Sequence, residues 1–463
     1  MPIQELRILP PLAIARLGAS SIPLAAYSLA IPKDNPLDFR QIFPEETLEI
    51  DSATGEVARA EVPANIRFRD DEGIRPVAPF LEVWAIMATD ELVPLTQDLL
   101  VNEGLGLEAI SWSVEVANHK VFRRTGNDAD RVTATVTNIV DHQAHQLFGN
   151  CANFLPGKTL PFGSVRFIKP TNNFPEIRLR FTPAGGFVYG ASDQRYISNT
   201  KTETDPVLIS ERIIYDPKKG WLGFREPDVP TLTNPGQIFA GYDDNGTQVS
   251  WGYLDDTCDG SVSVALNRKN GLKPLEARAI ISSGPPTFVP DALPIRTVTD
   301  DLLQIALGPD ISPDEQVPID VALEIIRRSF DTIRQLNTAV MNGNPVNGRL
   351  RVASTMVVQD SNDFGRQYAP IMAATLVDQS AVRALHERIF TALSSGSAPW
   401  FADVLRRPEE IGDLSDKGRR KMPAMMRGAD GRMLCLTRRQ INQIIRAASD
   451  ALFQGPPQAP SHP

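Results

Sequence analysis

One short segment concentrates side chains that carry acid–base and nucleophilic chemistry. Asp255-Asp256-Thr257-Cys258-Asp259-Gly260 places three carboxylates and a thiol within six residues. Clustered carboxylates can hold a cation, and a thiolate can act as a nucleophile, although neighbouring carboxylates disfavour that form of Cys258. The alternative is a turn between two strands, whose aspartates accept hydrogen bonds from turn amides. We treat Asp255, Asp256, Cys258 and Asp259 as the candidate catalytic residues.

A second candidate site is a pair of histidines preceded by an aspartate. Asp141-His142-Gln143-Ala144-His145 has the spacing HxxH. If this segment is helical, His142 and His145 face one divalent metal ion, and Asp141 or His119 can supply a third ligand. The alternative is a pair of partly exposed histidines without a ligand role.

The composition excludes several classes of function. The chain has 463 residues and a net charge of -9, whereas binding to nucleic-acid phosphates needs clustered Lys and Arg. No segment reaches the roughly 18 apolar residues of a membrane helix, and the first residues lack the pattern of a secretory signal. Motifs for nucleoside triphosphates, dinucleotides and serine nucleophiles are absent from the sequence. We therefore predict a cytoplasmic protein that binds neither nucleic acid nor membrane.

The first part of the chain has the pattern of β-strands. Short segments alternate apolar and polar residues, as half-buried strands do; examples are 132–136, 177–181 and 261–266. Asp243-Asp244-Asn245-Gly246 predicts a tight hairpin because Asn-Gly tolerates positive φ angles. We predict a β-rich, sandwich-like body over residues 1–300.

The second part has the pattern of helices. Ser312-Pro313-Asp314-Glu315 is a capping-box sequence with proline at the first helical position. Apolar residues at helical spacing follow it: Ile319, Leu323, Ile326, Phe330 and Ile333. A second helix is predicted from about Asp378, and a third after Thr437 with Gln440 as its capping partner. The buried residues predicted for the third helix are Ile441, Ile444, Ile445, Ala448 and Leu452.

These patterns together predict an α+β protein. The β-rich body is followed by a helical subdomain over residues 301–454. Residues 455–463 are rich in proline and are predicted to be a disordered tail.

Six blocks of sequence, in order, resemble one known family. Residues 110–120 are similar to an I-x-W-x-V-x-x-A-N-x-K strand, and residues 255–262 to a DD-x-S-D-G-x-V turn with Cys258 in place of serine. The other blocks are 8–18, 67–80, 284–291 and 421–440. The family is that of the cysteine tryptophylquinone amino-acid oxidases, which includes the lysine epsilon-oxidases and glycine oxidases.

The resemblance implies an oxidoreductase acting on an amino acid or another amine. In that family a cysteine thioether and an oxygenated tryptophan form a quinone on a segment that follows the last helix, and we expect this sequence to lack a counterpart of that segment. A quinone formed elsewhere in this chain would join one of its three cysteines to one of its five tryptophans. The candidate pairs are Trp400 with Cys435 by location and Trp251 with Cys258 by proximity. The alternative is that the strand tryptophans are core residues.

Two functions follow from these observations. The first is a non-catalytic or divergent member of the family that binds a small molecule or a partner protein, or that forms a homodimer through an exposed apolar surface. The second is an oxidoreductase that uses a divalent metal or a tryptophan-derived quinone.

Overall fold

Two compact units make up the chain. The computed structural model describes residues 2–30, 40–198, 201–204, 208–220, 240–242, 248–250, 252–269, 271–286, 293–332, 403–411, 413, 415–419, 421–423 and 435–454. The first unit comprises Met1–Ser28, Ile42–Phe239 and Val249–Thr287, and the second comprises Leu29–Gln41, Ala240–Gln248 and Phe288–Pro463.

Two β-sheets form the frame of the first unit. The six-stranded sheet contains β1 (Ile3–Leu9), β7 (Phe80–Met87), β8 (Leu92–Pro94), β11 (Ala144–Gly149), β12 (Leu160–Ile168) and β13 (Arg178–Pro183), in the order β1-β7-β13-β12-β11 with β8 paired to β7. The five-stranded sheet contains β2 (Leu12–Arg16), β9 (Ile110–Asn118), β10 (Val132–Ile139), β20 (Asp259–Leu266) and β21 (Leu275–Gly284), in the order β10-β9-β20-β21-β2. Paired strands in both sheets are antiparallel except β2 and β21, which are parallel.

The remaining described strands form two-stranded sheets. They are β3 (Tyr27–Ala30) with β4 (Gln41–Pro44), β5 (Thr47–Ile50) with β6 (Val57–Glu61), β14 (Val188–Tyr189) with β19 (Leu254–Asp255), β15 (Gln194–Ser198) with β16 (Lys201–Thr204), and β17 (Ala240–Tyr242) with β18 (Gln248–Ser250). The last pair agrees with the predicted hairpin, whose turn residues 243–247 lie outside the described residues.

Side chains from both large sheets meet in one hydrophobic core. Trp112 of β9 is fully buried, and its ring centroid lies 6.3 Å from that of Phe167 on β12. Burying an indole side chain contributes about 4 to 6 kcal/mol of transfer free energy. The β-rich character of this part of the chain is confirmed, as are the strands predicted at 132–136, 177–181 and 261–266.

The block at residues 8–18 crosses between the two sheets. β1 ends at Leu9 in the six-stranded sheet, and β2 begins at Leu12 in the five-stranded sheet. Pro10 and Pro11 separate the two strands, since proline lacks the N–H group that a strand donates to its neighbour.

Six α-helices lie in the described parts of the chain. They are α1 (Gln97–Asn102), α2 (Lys120–Thr125), α3 (Val298–Leu307), α4 (Ile319–Asp331), α5 (Asp416–Arg419) and α6 (Arg438–Gln454). In the second unit α4 packs against α6, and the buried side chains between them include Ile325, Ile326, Ile441, Ile444 and Ala448. No helix in these parts is long and apolar enough to cross a membrane.

The predicted start of the first C-terminal helix is wrong. Ser312–Glu315 lies in a turn, and α4 begins at Ile319. The Glu315 carboxylate accepts a hydrogen bond from the buried Arg439 guanidinium instead of capping a helix. Ile326 is buried as predicted, but Ile319 is 37% exposed. Pro318 lies directly before α4, and a helix that began at Pro313 would hold Pro318 in its interior, where proline lacks the N–H group that a helix needs.

The helix after Thr437 is confirmed, including its cap. The Thr437 amide donates to the Gln440 Oε1 at 2.8 Å, and the Gln440 amide donates to the Thr437 Oγ1 at 3.0 Å. Ile441, Ile444 and Ala448 are buried. Helix α3, which has its own capping box between Thr297 and Asp300, was not predicted from the sequence. Several predictions lie outside the described residues. They concern the helix that starts near Asp378, the side chain of Phe330, Ile333, and the tail at 455–463.

Candidate functional site

The acidic turn at 255–260 is anchored by the end of β9. Asn118, the last residue of that strand, is buried, and its side-chain amide donates to the backbone oxygens of Asp255 and Thr257 at 2.9 and 3.0 Å. The turn itself connects β19 to β20. Two of the blocks noted in the sequence, 110–120 and 255–262, thus lie side by side.

The first carboxylate of the turn is already neutralised. Lys120 forms an ion pair with the Asp255 Oδ2 and donates to the Thr257 Oγ1 at 2.9 Å. The Thr257 hydroxyl in turn donates to the Asp255 Oδ1 at 2.8 Å. Both oxygens of the Asp255 carboxylate therefore have partners within the turn and on α2.

The second carboxylate, Asp256, is buried. Its Oδ2 accepts hydrogen bonds from the backbone amides of Gly186 and Phe187 at 3.0 and 2.9 Å. Its Oδ1 is buried without a hydrogen-bond partner. Burial, reinforced by the nearby Asp255 charge, raises the pKa of Asp256 to about 6. Asp256 can therefore exchange a proton close to neutral pH, a property common in catalytic acids and bases.

The other two residues of the candidate catalytic set differ in environment. Cys258 is buried, its amide donates to the Ser283 Oγ at 2.8 Å, and burial raises the pKa of its thiol to about 12. The thiol is therefore protonated at neutral pH and a poor nucleophile. Asp259 is exposed and accepts a hydrogen bond from the Ser282 hydroxyl at 2.7 Å. A catalytic role for the four residues remains a prediction.

The histidine segment forms a bend and the start of a strand. Residues 141–143 are a bend and β11 begins at Ala144. The His145 Nε2 lies 2.8 Å from the Asp141 Oδ1. The His142 Nδ1 lies 3.1 Å from the backbone oxygen of Phe167. Within the described ranges no group of three or more His, Cys, Asp or Glu residues is arranged to hold a metal ion. Metal binding by Asp141, His142 and His145 remains a prediction.

Each tryptophan–cysteine pair has one member outside the described residues. These members are the tryptophans, Trp400 and Trp251. Cys435 is buried in the second unit, and burial raises the pKa of its thiol. The pairing of Trp400 with Cys435 remains a prediction.

A cavity beside the six-stranded sheet was not predicted. It has a volume of about 680 Å³ and lies within the first unit. Arg178 and Arg180 of β13, Phe80 of β7 and Tyr27 of β3 contribute to its wall. Cavities of roughly 300 to 1,000 Å³ with mixed aromatic and polar walls are typical binding sites for small molecules.

The two arginines of the cavity differ in their partners. The Arg178 Nε donates to the Glu82 Oε1 at 2.7 Å, and one of its terminal nitrogens lies 3.3 Å from the Glu176 Oε2. Arg180 has no ion pair or hydrogen bond in the described part of the chain. Its guanidinium carbon lies 4.8 Å from the centroid of the Phe80 ring. Burial lowers the pKa of Arg180 to about 10.

Part of the signal for these residues was present in the sequence. The alternation in 177–181 places Arg178 and Arg180 on the face opposite the buried Ile177, Leu179 and Phe181. No spacing motif linked the arginines to Tyr27 or Phe80, which come from distant segments. Asn118 and Lys120 lie in the block 110–120 that resembles the oxidase family, but they were not predicted to be site residues.

An exposed apolar surface is present on α3. Leu302 and Ile305 are 59% and 81% exposed, and Val298 and Leu307 are also exposed. The predicted protein partner or homodimer remains a prediction.

Comparisons with known proteins give a distant structural likeness. No family model matches the sequence, and no curated protein matches it. Solved structures of the L-Lys epsilon-oxidase from Marinomonas mediterranea, alone and as the Schiff base intermediate with L-Lys, are similar at a TM-score of 0.39 and 16% identity. Each alignment covers 78% of this chain and 49% of the oxidase chain. The chain therefore spans about half the length of these oxidases.

Proposed function

We propose that the protein binds a small molecule in the cavity of the first unit, as a non-catalytic or divergent relative of the lysine epsilon-oxidase-like proteins. The family part of this proposal rests on the six sequence blocks. The binding part rests on one observation, a half-buried arginine without an acidic partner among the described residues, in the wall of a cavity of about 680 Å³.

The composition of the wall supports binding of a small organic molecule. Tyr27, Phe80 and Phe174 supply aromatic surface, and Arg180 and Glu46 supply charge. Aromatic surface stabilises the apolar body of a ligand, and a few polar groups set its orientation. The Asp255–Gly260 turn offers less to a ligand, since the Asp255 carboxylate and the Cys258 thiol are already occupied or buried.

Filling the cavity should abolish binding. Ala78 lies in the wall, and Ala78→Phe would place an aromatic ring inside the cavity. In a fragment screen by ligand-observed NMR, we expect fragments that bind the wild type to bind this variant at least about tenfold more weakly, because overlap with protein atoms removes the binding volume. The matched control is Ala58→Phe at an exposed position of β6. Fragments that bind Ala78→Phe as well as wild type would refute the cavity as the site.

The second candidate function is that of an oxidoreductase acting on an amine or amino acid. The observation in its favour is Asp256, whose pKa near 6 suits a group that accepts or donates a proton at neutral pH. A divalent metal or a tryptophan-derived quinone would supply the redox chemistry. The chain's own contribution would be the Asp256 carboxyl group, positioned by the amides of Gly186 and Phe187.

An intact-mass measurement with metal analysis separates the two candidates. For a binding protein we expect a denatured mass equal to the sequence mass and no stoichiometric metal. A mass shift that maps to a crosslink between Trp400 and Cys435 would instead support amine oxidation. A stoichiometric metal that is lost in the variant His142→Ala/His145→Ala would establish the Asp141–His145 site. Either result would contradict the expectation for a binding protein.

A further inference from the structure

We propose that Arg180 is the recognition residue for a small organic monocarboxylate in this cavity. The inference rests on the proposed function, that the cavity binds a small molecule, and it adds the chemical class of the ligand. Three features carry it: the charges on this face of the sheet, the geometry of the arginine, and the other residues of the wall.

Arg180 has a second arginine beside it on this face of the sheet. Arg166 of β12 is its direct neighbour in the antiparallel register with β13. The Arg166 guanidinium donates to the backbone oxygens of Asp51 and Ser52 at 3.2 and 3.0 Å. Arg166 therefore has acceptors of its own, whereas the buried Nε of Arg180 has none among the described residues.

Two nearby carboxylates are engaged by the other arginine of the cavity. Glu82 and Glu176 both lie against Arg178. Arg180 has no carboxylate partner among the described residues, and its Nε is buried without a hydrogen bond. A half-buried cation without a partner is unfavourable, and a ligand carboxylate would supply the missing charge and acceptors.

The geometry of Arg180 suits a planar acceptor. Phe80 lies opposite Arg180 in the register of β7 and β13, and its ring packs against the guanidinium group. Packing against an aromatic ring leaves the N–H groups at the edge of the guanidinium plane for hydrogen bonds. A carboxylate matches two of these N–H groups with two parallel hydrogen bonds.

The rest of the wall favours a single negative charge and an apolar body. Glu46 contributes an exposed carboxylate to the same cavity, and it repels a phosphate dianion more strongly than a monocarboxylate. Phe174, Pro79 and Leu24 contribute apolar surface. The expected ligand has one carboxylate and an aliphatic or aromatic body of modest size.

The test uses 3-phenylpropionate as a probe, with its neutral amide and inorganic phosphate as comparisons. In calorimetric titrations of the full chain, we expect the acid to bind about 10- to 100-fold more tightly than the amide, because hydrogen bonds between charged groups are lost in the amide. Phosphate should not displace the acid at equal concentration. Phosphate displacing the acid would overturn the preference for a monocarboxylate.

Variants locate the interaction at Arg180. Arg180→Met should weaken binding of the acid about 10- to 100-fold and leave binding of the amide unchanged. Arg180→Lys should give an intermediate affinity, since an ammonium group keeps the charge but loses the paired hydrogen bonds. The control is Arg131→Met, because Arg131 also packs on a phenylalanine, Phe122, but already has the Asp128 carboxylate as partner. Thermal unfolding of each variant verifies that it is folded.

The outcomes separate this inference from the proposed function. If acid and amide bind equally and Arg180→Met changes neither, the cavity binds small molecules but Arg180 does not recognise a carboxylate. If neither probe binds and the fragment screen finds no ligand that Ala78→Phe excludes, both the inference and the proposed function are refuted.

Discussion

Gly260→Ala is expected to destabilise the first unit by about 3 kcal/mol or more, at the upper end of the cost of overpacking. Gly260 lies on β20, between β9 and β21, opposite Val116 and Ile281. A Cβ atom added there would lie 1.9 Å from the backbone oxygen of Glu115. The obstacle is backbone, so the two central strands must separate and the hydrogen bonds that hold the acidic turn are lost.

Urea unfolding of a matched pair measures this effect. The control is Gly271→Ala, because a Cβ atom at Gly271 meets nothing within 4 Å and only its φ of +70° opposes a side chain. We expect the control to cost about 1 kcal/mol. Equal losses in the two variants would show that the close approach of β9 and β20 does not constrain position 260.

Asp256 should make the protein less stable as the pH rises from about 4 to above 6. Its pKa in the folded protein is about 6, above the usual 3.8, so the folded protein binds the proton more tightly than the unfolded chain. The stabilisation is fully present below the unfolded pKa and is lost as the pH rises through the folded pKa. A difference of about two pKa units corresponds to roughly 3 kcal/mol.

The measurement compares wild type with Asp256→Asn at several pH values between 4 and 7.5. Asparagine keeps a carbonyl oxygen for the amides of Gly186 and Phe187 but does not titrate. The free energy of unfolding of the wild type, relative to this variant, should fall with rising pH. Asp51→Asn is a control whose difference from wild type should stay nearly constant over this range, since hydrogen bonds from Thr54 and Ala53 lower the pKa of Asp51 and its titration falls below pH 4. A difference between wild type and Asp256→Asn that is constant with pH would contradict the raised pKa.

Strands and one helix could be predicted from the sequence because their signals are local. The alternation at 177–181 and the capping pair Thr437 and Gln440 each depend on residues that are close in the chain. The capping sequence at 312–315 gave a wrong helix start because Pro318 would lie in the interior of a helix that began there. A proline in a helix interior costs about 3 kcal/mol, more than the roughly 1 kcal/mol that a cap contributes.

The candidate site could likewise be predicted only where its signal is local. The sequence identified the acidic turn, because its four candidate residues are consecutive or nearly so. It did not distinguish the neutralised Asp255 from the buried Asp256, because burial and the positions of Lys120, Gly186 and Phe187 decide that difference. The HxxH spacing predicted a metal site on the condition that residues 141–145 are helical. The segment is not helical, since β11 begins at Ala144.

The sequence by itself determined that this is a β-rich protein with helices in its second part, and it located a turn dense in carboxylates. Periodicity and capping are read along the chain, so no partner is needed to recognise them. The tertiary structure decided which charges have partners and where a cavity forms. Arg178 and Arg180 are equivalent in the sequence pattern, yet folding brings the Glu82 carboxylate to Arg178 and, within the described part of the chain, the Phe80 ring but no carboxylate to Arg180. That difference depends on the pairing of β7 with β13, across nearly a hundred residues of chain, which local patterns do not encode.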